Sequence, residues 1–102
     1  MNVYNITHDN FQEEVLNSPL PVLLDFWAPW CGPCNLFSPV LEEIASRRPD
    51  IKVCKVNVDK ERELASEYKV FQIPTVLVMN QGQEEDRILG ARPMEELLSL
   101  FE

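Results

Sequence analysis

The stretch from Pro21 to Trp27 constrains the fold of this chain more than any other feature of its sequence. It reads Pro-Val-Leu-Leu-Asp-Phe-Trp, and Asp25 is its only charged residue. A strand with one face in water alternates apolar and polar residues, whereas a strand covered by helices on both faces is apolar at nearly every position. The run therefore predicts an interior strand of an α/β protein, with helices packed on both sides of its sheet.

The remaining pattern predicts strands and helices in the order β-α-β-α-β-α-β-β-α. We expect strands at 3–6, 21–27, 51–58, 74–79 and 86–89. We expect one helix that ends at about residue 17, two helices that span about 34–48 and 61–68, and a last helix that begins at 93. In the longest helix, Leu36, Val40 and Ile44 recur every four residues and predict its buried stripe, which Leu41 widens. The length of 102 residues is that of one domain, spanning 1–102.

Charge and glycine content argue against several classes of function. Nine Lys and Arg against 17 Asp and Glu give a net charge of −8, which repels phosphate backbones and anionic membranes, so we expect no nucleic-acid or membrane partner. Glycine occurs only at 32, 82 and 90, which leaves no GxGxxG fingerprint or P-loop and indicates no nucleotide cofactor. The N-terminal stretch has neither basic residues nor an apolar run, so we expect no export signal and a cytoplasmic location.

Cys31 and Cys34 lie three residues apart at the predicted start of the longest helix. This spacing puts both sulfurs on one side of the first turn, close enough for a disulfide, which makes the pair a two-electron switch. The free N–H groups and the positive end of the helix dipole favour the thiolate of Cys31. We therefore expect Cys31 to attack a disulfide and Cys34, more buried and further along the helix, to resolve the mixed disulfide. Pro33 stiffens the turn between them.

The alternatives to a redox role for this pair are two inert buried thiols or half of a zinc site. A structural zinc site needs four ligands, and Cys54 and His8 are the only other soft ligands in the chain. They lie on different elements without a second paired spacing, so the pattern favours redox chemistry. Cys54 sits on an alternating strand as a small apolar residue, which indicates a structural role rather than regulation by oxidation.

The residues around the pair resemble the active-site segment of the thioredoxin family. The segment 22–34 reads Val-Leu-Leu-Asp-Phe-Trp-Ala-Pro-Trp-Cys-Gly-Pro-Cys, and the likeness continues at Asn57-Val58-Asp59, Ile73-Pro74-Thr75, Gly82 and Gly90. The resemblance covers nearly the whole chain. It implies an α/β thioredoxin fold, in which a central mixed five-stranded sheet is flanked by four helices in three layers.

The resemblance also implies an activity and its partners. The expected activity is protein-disulfide reduction through the redox-active disulfide Cys31-Cys34, with no other cofactor and no metal. The expected partners are disulfide-containing protein substrates and a thioredoxin reductase that reduces the Cys31-Cys34 disulfide again. We expect the chain itself to be a monomer. The chain departs from the common family pattern at Asn35, where Lys is frequent, and at Phe71-Gln72, where a Gly is frequent. Both departures lie where partners would dock, so they bear on partner preference.

Asp25 is a charge within a strand that should be covered on both faces. Burial without a partner makes ionisation costly, so we expect a raised pKa and a carboxylate that accepts a proton near neutrality. In the family the matching residue lies under the second cysteine and takes its proton through water, which assigns Asp25 that role toward Cys34. The alternative is that Asp25 satisfies a buried donor, with Lys55 on the neighbouring strand as the candidate, and is thereby held in its charged form.

The resemblance further implies a substrate-binding face around Cys31. Pro74 begins a strand, where a trans proline is tolerated, but the Ile-Pro-Thr match favours a cis proline that faces the disulfide and leaves the backbone of Ile73 free to pair with an extended substrate. Trp30 could be a core residue, yet Trp27 fills that part in the family pattern, so Trp30 is expected to be exposed. A shallow apolar face of this kind usually marks a partner site. Its expected members are Trp30, Gly32, Pro33, Val58, Ile73, Gly90 and Ala91.

Two other functions fit the same fold. A disulfide oxidase or isomerase is disfavoured, because oxidising relatives carry a histidine between the cysteines that stabilises the thiolate, and this chain has Gly-Pro there. A redox-independent binding subunit would use the same apolar face, so the sequence does not separate it from a reductase. An NADPH-linked flavoenzyme and a ferredoxin-linked reductase would likewise dock on one patch, so the sequence does not identify the electron donor.

Overall fold

Residues 3–102, which a computed structural model of the chain describes, contain a five-stranded mixed sheet. The strands are β1 (Val3–Ile6), β2 (Val22–Trp27), β3 (Lys52–Asn57), β4 (Thr75–Asn80) and β5 (Gln83–Leu89), in the spatial order β1-β3-β2-β4-β5. The first three run parallel, β4 is antiparallel to β2, and β5 is antiparallel to β4. The mixed five-stranded sheet implied by the resemblance is confirmed.

Helical segments cover both faces of the sheet. They are a π-helical segment (Gln12–Leu16), α1 (Gly32–Arg47), α2 (Arg62–Glu67), α3 (Met94–Leu98) and a closing 3-10 turn (Ser99–Phe101). No helix in the described part of the chain has both the length and the apolar composition that a bilayer crossing requires.

The central strand β2 is buried on both faces, as its apolar run predicts. Leu24 and Phe26 pack in one core with residues of the π-helical segment and α2. Leu23 packs in a second core with residues of α1 and α3. Because side chains alternate between the faces of a strand, Asp25 points to the same side as Leu23 and so faces α1. The three-layer architecture is confirmed, and it places a carboxyl group between the sheet and α1.

The first helical segment differs from the expected helix ending at Asn17. It is a five-residue π-helical segment, in which the Asn17 N–H donates to the carbonyl of Gln12 at 2.9 Å. This bond joins residues five apart and so widens the turn relative to an α-helix.

The buried stripe of α1 also differs from the expected one. Its buried residues are Cys34, Phe37, Leu41 and Ile44, whereas Leu36 is 82% exposed. Successive helical residues are rotated by about 100°, so a stripe centred on Phe37 and Leu41 turns Leu36 away from the sheet. Placing Leu36 on the buried face was therefore wrong, and this side chain lies on the surface two residues after Cys34.

The turn between β4 and β5 lies where the sequence predicts it, within Asn80-Gln81-Gly82. Gln81 and Gly82 both have positive φ, 51° and 81°, a combination that matches the twist of a two-residue hairpin. The strand after the turn begins at Gln83, three residues earlier than its polar sequence predicts, because a hairpin's pairing starts directly at such a turn.

Candidate active site

The cysteine pair lies where β2 leads into α1. Cys31 is the N-cap residue of α1 and Cys34 lies in its first turn. Their sulfurs form a disulfide across a Cα separation of 5.2 Å, as the spacing predicts. Trp27, Val58 and Ile73 pack against the pair, so three segments far apart in the chain converge on the two sulfurs.

Hydrogen bonding separates the two cysteines more clearly than burial does. They are 5% and 3% exposed, so in the disulfide form burial alone sets no order of attack. The Sγ of Cys31 accepts a hydrogen bond from the backbone N–H of Cys34 at 3.2 Å. An acceptor at the N-cap lies at the positive end of the helix dipole, which stabilises negative charge on this sulfur. Gly32 and Pro33 beside it are exposed, and a Cβ added at Gly32 would meet no atom within 4 Å.

Asp25 is buried between the sheet and α1. It is 1% exposed, and its Oδ1 has no hydrogen-bond partner among the described residues. Desolvation by burial raises the pKa of Asp25 to about 7, against an opposing effect of the Lys55 charge, which lowers it. The carboxyl group therefore changes its protonation state near neutral pH, as its place in an apolar strand predicts.

Lys55 lies beside Asp25 in the register of β2 and β3, but the described residues contain no ion pair between them. The Nζ of Lys55 instead donates to the Oγ of Ser38 on α1 at 3.2 Å, and it lies 4.5 Å from the ring centroid of Trp27. The direct pairing considered from the sequence is thus not what the structure shows. Lys55 acts on Asp25 only through its charge, and burial has the larger effect on the pKa.

Replacing Lys55 with methionine should raise the pKa of Asp25 further above 7. The charge of Lys55 stabilises the carboxylate, and its removal leaves desolvation unopposed, so a rise on the order of half a unit to one unit is expected. The measurement is a pH titration of the Asp25 carboxyl carbon by NMR in the disulfide form. Lys60→Met is the control, because Lys60 lines the same surface cleft as Lys55 without contributing to the pKa of Asp25. An unchanged or lower pKa in Lys55→Met would contradict this assignment.

The Ile73–Pro74 peptide bond is cis. The cis proline implied by the family resemblance is therefore confirmed, and the alternative of a trans proline at a strand edge is wrong. The carbonyl of Pro74 accepts a hydrogen bond from the Gly90 N–H at 2.7 Å. Gly90 has φ of 91°, a backbone conformation that favours glycine, and Ala91 after it is exposed. The N–H and C=O of Ile73 make no hydrogen bond to any other described residue, which leaves them available to an extended chain.

Trp30 is exposed, as expected, and its position is held by a residue to which the sequence assigned no contact. Its side chain is 70% exposed, and the indole Nε1–H donates to the Oδ2 of Asp59 at 2.9 Å. Asp59 is itself oriented by a bond from its N–H to the side chain of Asn57. The segment 57–59 carries the family resemblance, but only the tertiary structure shows that it holds Trp30.

Two shallow grooves lie on this surface. One, of about 320 Å³, is lined by Trp30, Val58, Val70, Phe71, Gln72 and Ile73. The other, of about 290 Å³, is lined by Leu36, Phe37, Val40, Ala91, Arg92 and Pro93. In the sequence, Phe71 stands out only as a departure from the family pattern. In the structure its side chain is 87% exposed. Phe71 and Leu36 are thus apolar members of this face that sequence reasoning missed, although a large apolar residue next to the Ile-Pro step was a usable signal for Phe71.

Three further sequence assignments concern residues beside or away from the pair. Asn35 is exposed and donates from its side-chain amide to the carbonyl of Pro29 at 3.1 Å, which braces the loop before the cysteines. Cys54 is a buried free thiol whose pKa is raised to about 12 by desolvation, which suits a structural role. Within residues 3–102, no three His, Cys, Asp or Glu side chains are grouped so as to hold a metal ion.

Comparison with known proteins agrees with this geometry. A family model described as Thioredoxin matches residues 2–102. Among similar curated proteins, the thioredoxin of Pyropia yezoensis is 46% identical over 100 residues, which cover 97% of this chain and 94% of the relative. Thioredoxin 1 of Synechococcus elongatus is 45% identical over 98 residues, with 95% and 92% coverage. Thioredoxin 1 of Nostoc is 46% identical over 98 residues, with the same coverage.

Proposed function

The chain belongs to the thioredoxin family and is a protein-disulfide reductase, and we propose how its residues divide this work. Cys31 is the nucleophile, Cys34 resolves the intermediate, and Asp25 accepts and returns the proton of Cys34. The observation that carries the assignment is the hydrogen bond from the Cys34 N–H to the Cys31 Sγ at the start of α1. The alternative functions as an oxidase, an isomerase or a redox-independent subunit are not favoured by the thioredoxin names of the relatives.

The reaction transfers two electrons from the dithiol form of the protein to a substrate disulfide. The Cys31 thiolate attacks one substrate sulfur, the substrate S–S bond breaks, and the other substrate sulfur leaves as a thiolate. Cys34 then loses its proton and attacks the Cys31 sulfur. The mixed disulfide breaks, the intramolecular disulfide forms, and the second substrate sulfur leaves as a thiolate. A partner reductase returns two electrons and restores the dithiol.

Asp25 supplies the proton acceptor for the second step. It points from β2 toward α1, and Cys34 belongs to the buried stripe of that helix. With a pKa of about 7, a substantial fraction of the carboxyl groups is ionised at neutral pH and can take the Cys34 proton, which raises the nucleophilicity of that sulfur. Lys55 tunes the acceptor by opposing the effect of burial on its pKa.

The apolar face around Cys31 binds the protein substrate. An extended substrate segment pairs with the free backbone of Ile73 next to Pro74. Its apolar side chains contact Trp30, Val58, the exposed residues Gly32, Pro33 and Ala91, and the half-buried Gly90. The partner reductase uses the same face, because it must also reach Cys31. We further propose that residues 1–102 act as one monomeric domain in the cytoplasm, where reductants keep the cysteine pair in its reduced dithiol form.

Turnover of insulin disulfides, with dithiothreitol or a thioredoxin reductase as the electron source, tests this function.

The variant Trp30→Ala tests the binding face. Removing the exposed indole should raise KM for insulin about fivefold to tenfold, because apolar contact area is lost. The rate with a small aromatic disulfide should stay near that of the wild type. Tyr4→Ala is the control, since Tyr4 is an exposed aromatic residue on β1, at the sheet edge opposite β5. Equal KM values for Trp30→Ala and wild type would contradict the proposed face, and a wild type that fails to reduce insulin would contradict the function itself.

A further inference from the structure

Arg87 on β5 makes a set of hydrogen bonds that the redox chemistry does not explain. Its Nη2–H donates to the carbonyl of Tyr68 at 2.6 Å and its Nη1–H to the carbonyl of Lys69 at 3.2 Å. Its Nε–H and Nη2–H also donate to both carboxylate oxygens of Glu84, at 2.8 and 3.0 Å. The planar guanidinium is thus fixed on one side by a carboxylate and binds two consecutive backbone carbonyls on the other.

An irregularity in the β4–β5 ladder brings this arrangement about. Val78 pairs with Asp86, but the next residue of β4, Met79, pairs with Glu84, so β5 contains one extra residue. In a regular strand, residues three apart point to opposite faces. A bulge resets this alternation and re-aims the side chains beyond it, so Glu84 and Arg87 meet on the face of the sheet that α2 covers.

The two carbonyls that Arg87 binds belong to Tyr68 and Lys69, the C-cap residue of α2 and the residue after it. The N–H of Val70 donates to the carbonyl of Ala65 at 2.8 Å and the N–H of Lys69 to that of Ser66 at 3.0 Å, which is the bonding pattern of a Schellman motif. This motif needs a left-handed residue, and Lys69 takes that place with φ of 56°. Glycine is the usual residue there, because a side chain is unfavourable in this conformation. Arg87 thus binds the carbonyl of this left-handed residue and that of the residue before it.

The helix end fixed in this way starts the segment that lines the first groove. Val70, Phe71, Gln72 and Ile73 all line it, and cis-Pro74 follows. The far end of the segment is tied by the bond from the Thr75 hydroxyl to the carbonyl of Gln72 at 2.7 Å. Val70 and Ile73 pack against the core, but Phe71 between them is 87% exposed, so packing does not hold the exposed middle of the segment. Its path therefore depends on its two ends.

We propose that Arg87 is a positioning residue for substrate binding, which sets the path of segment 70–74 by holding the left-handed turn at Lys69. The inference rests on the proposed function, in which the backbone of Ile73 receives the substrate. Arg87 touches neither substrate nor sulfur. Its loss should let the turn relax and reduce the fraction of molecules whose segment can accept an extended chain, while the dithiol chemistry stays intact.

The test compares Arg87→Met with the double variant Lys69→Gly/Arg87→Met. Arg87→Met should raise KM for insulin about threefold to tenfold, the effect of losing hydrogen bonds to a charged group, with kcat and the rate toward a small aromatic disulfide unchanged. Exchange of the Val70 amide hydrogen should accelerate by a similar factor. Glycine adopts the left-handed conformation without the guanidinium, so the double variant should return KM to within about twofold of the wild type. Arg47→Met is the control, because Arg47 pairs with Glu43 on the exposed surface of α1.

Each outcome of this test decides the inference. A rise in KM that Lys69→Gly reverses supports it. Unchanged KM and unchanged Val70 exchange overturn it, since Arg87 then does not hold the segment. Faster exchange with unchanged KM also overturns it and shows that substrates do not dock on this segment. If KM rises while kcat and the rate toward the small disulfide fall to the same extent in both variants, the cause is a general folding defect. That result also overturns the positioning role. Failure of the proposed function is distinct, because the wild type itself would then not reduce insulin.

Discussion

Cys31→Ser is expected to abolish insulin reduction, with a loss of at least about a thousandfold in rate. A serine hydroxyl is not ionised near neutral pH and cannot form a disulfide, so neither the attack nor the return of electrons to the protein takes place. The hydrogen bond from the Cys34 N–H remains available to the serine oxygen, so the fold around the start of α1 should persist. Turnover with dithiothreitol as the electron source measures the effect.

Cys34→Ser separates the first step from the second. The Cys31 thiolate still attacks, but the mixed disulfide has no resolving sulfur, so one covalent adduct per protein molecule should accumulate and be visible by mass spectrometry. Cys54→Ser is the matched control, because Cys54 is buried with a pKa of about 12 and should leave turnover unchanged. A stable adduct on Cys34 in Cys31→Ser, with none on Cys31 in Cys34→Ser, would reverse the assigned roles.

Asp25→Asn is the second change with a large expected effect, and it acts on stability and on rate in opposite directions. The folded protein has a pKa of about 7 at Asp25, against an ordinary value of 3.8. Between these values the folded state holds a proton that the unfolded state has released, so stability falls as pH rises from about 4 to about 7. Since one pKa unit corresponds to about 1.4 kcal/mol, the cost of the carboxylate at pH 8 is roughly 4 kcal/mol.

An asparagine avoids this cost because it does not ionise. Any mismatch of the amide in the buried site affects pH 4 and pH 8 equally, so the quantity to measure is the difference between the two. The difference in the free energy of unfolding, Asp25→Asn minus wild type, should therefore be more positive (more stabilising) at pH 8 than at pH 4 by about 4 kcal/mol. Urea unfolding of both proteins in the disulfide form, where the two active-site cysteines do not titrate, gives this value.

The same variant should resolve mixed disulfides about a hundredfold more slowly at pH 7, because the proton acceptor is missing. Rapid-quench measurement of the adduct lifetime with a small disulfide tests this without involving the binding face. The adduct should still form at the wild-type rate. A variant that is less stable than the wild type at pH 8 and resolves adducts normally would refute the proton-acceptor role and make Asp25 a structural carboxylate.

Much of the site could be predicted because its signals are local or belong to the family motif. The apolar run around Asp25 predicted both a strand covered on two faces and a raised pKa. The spacing of Cys31 and Cys34 predicted their disulfide, and the Ile-Pro-Thr match predicted the cis bond at Pro74. Lys55 shows where such reasoning stops. Its place on the strand beside Asp25 followed from the family resemblance, but its bond to Ser38 depends on how α1 lies across the sheet.

What the sequence by itself determined is the kind of fold and the reactive pair, because burial, helix polarity and cysteine spacing act over a few residues. The tertiary structure alone decided which apolar residues remain exposed beside the sulfurs and what holds them. Leu36 is exposed because Phe37 and Leu41 take the face toward the sheet. Trp30 is held by Asp59, and the turn at Lys69 by Arg87, across separations of 29 and 18 residues. Contacts at such distances depend on strand register and on a bulge, which no periodicity in the sequence reveals.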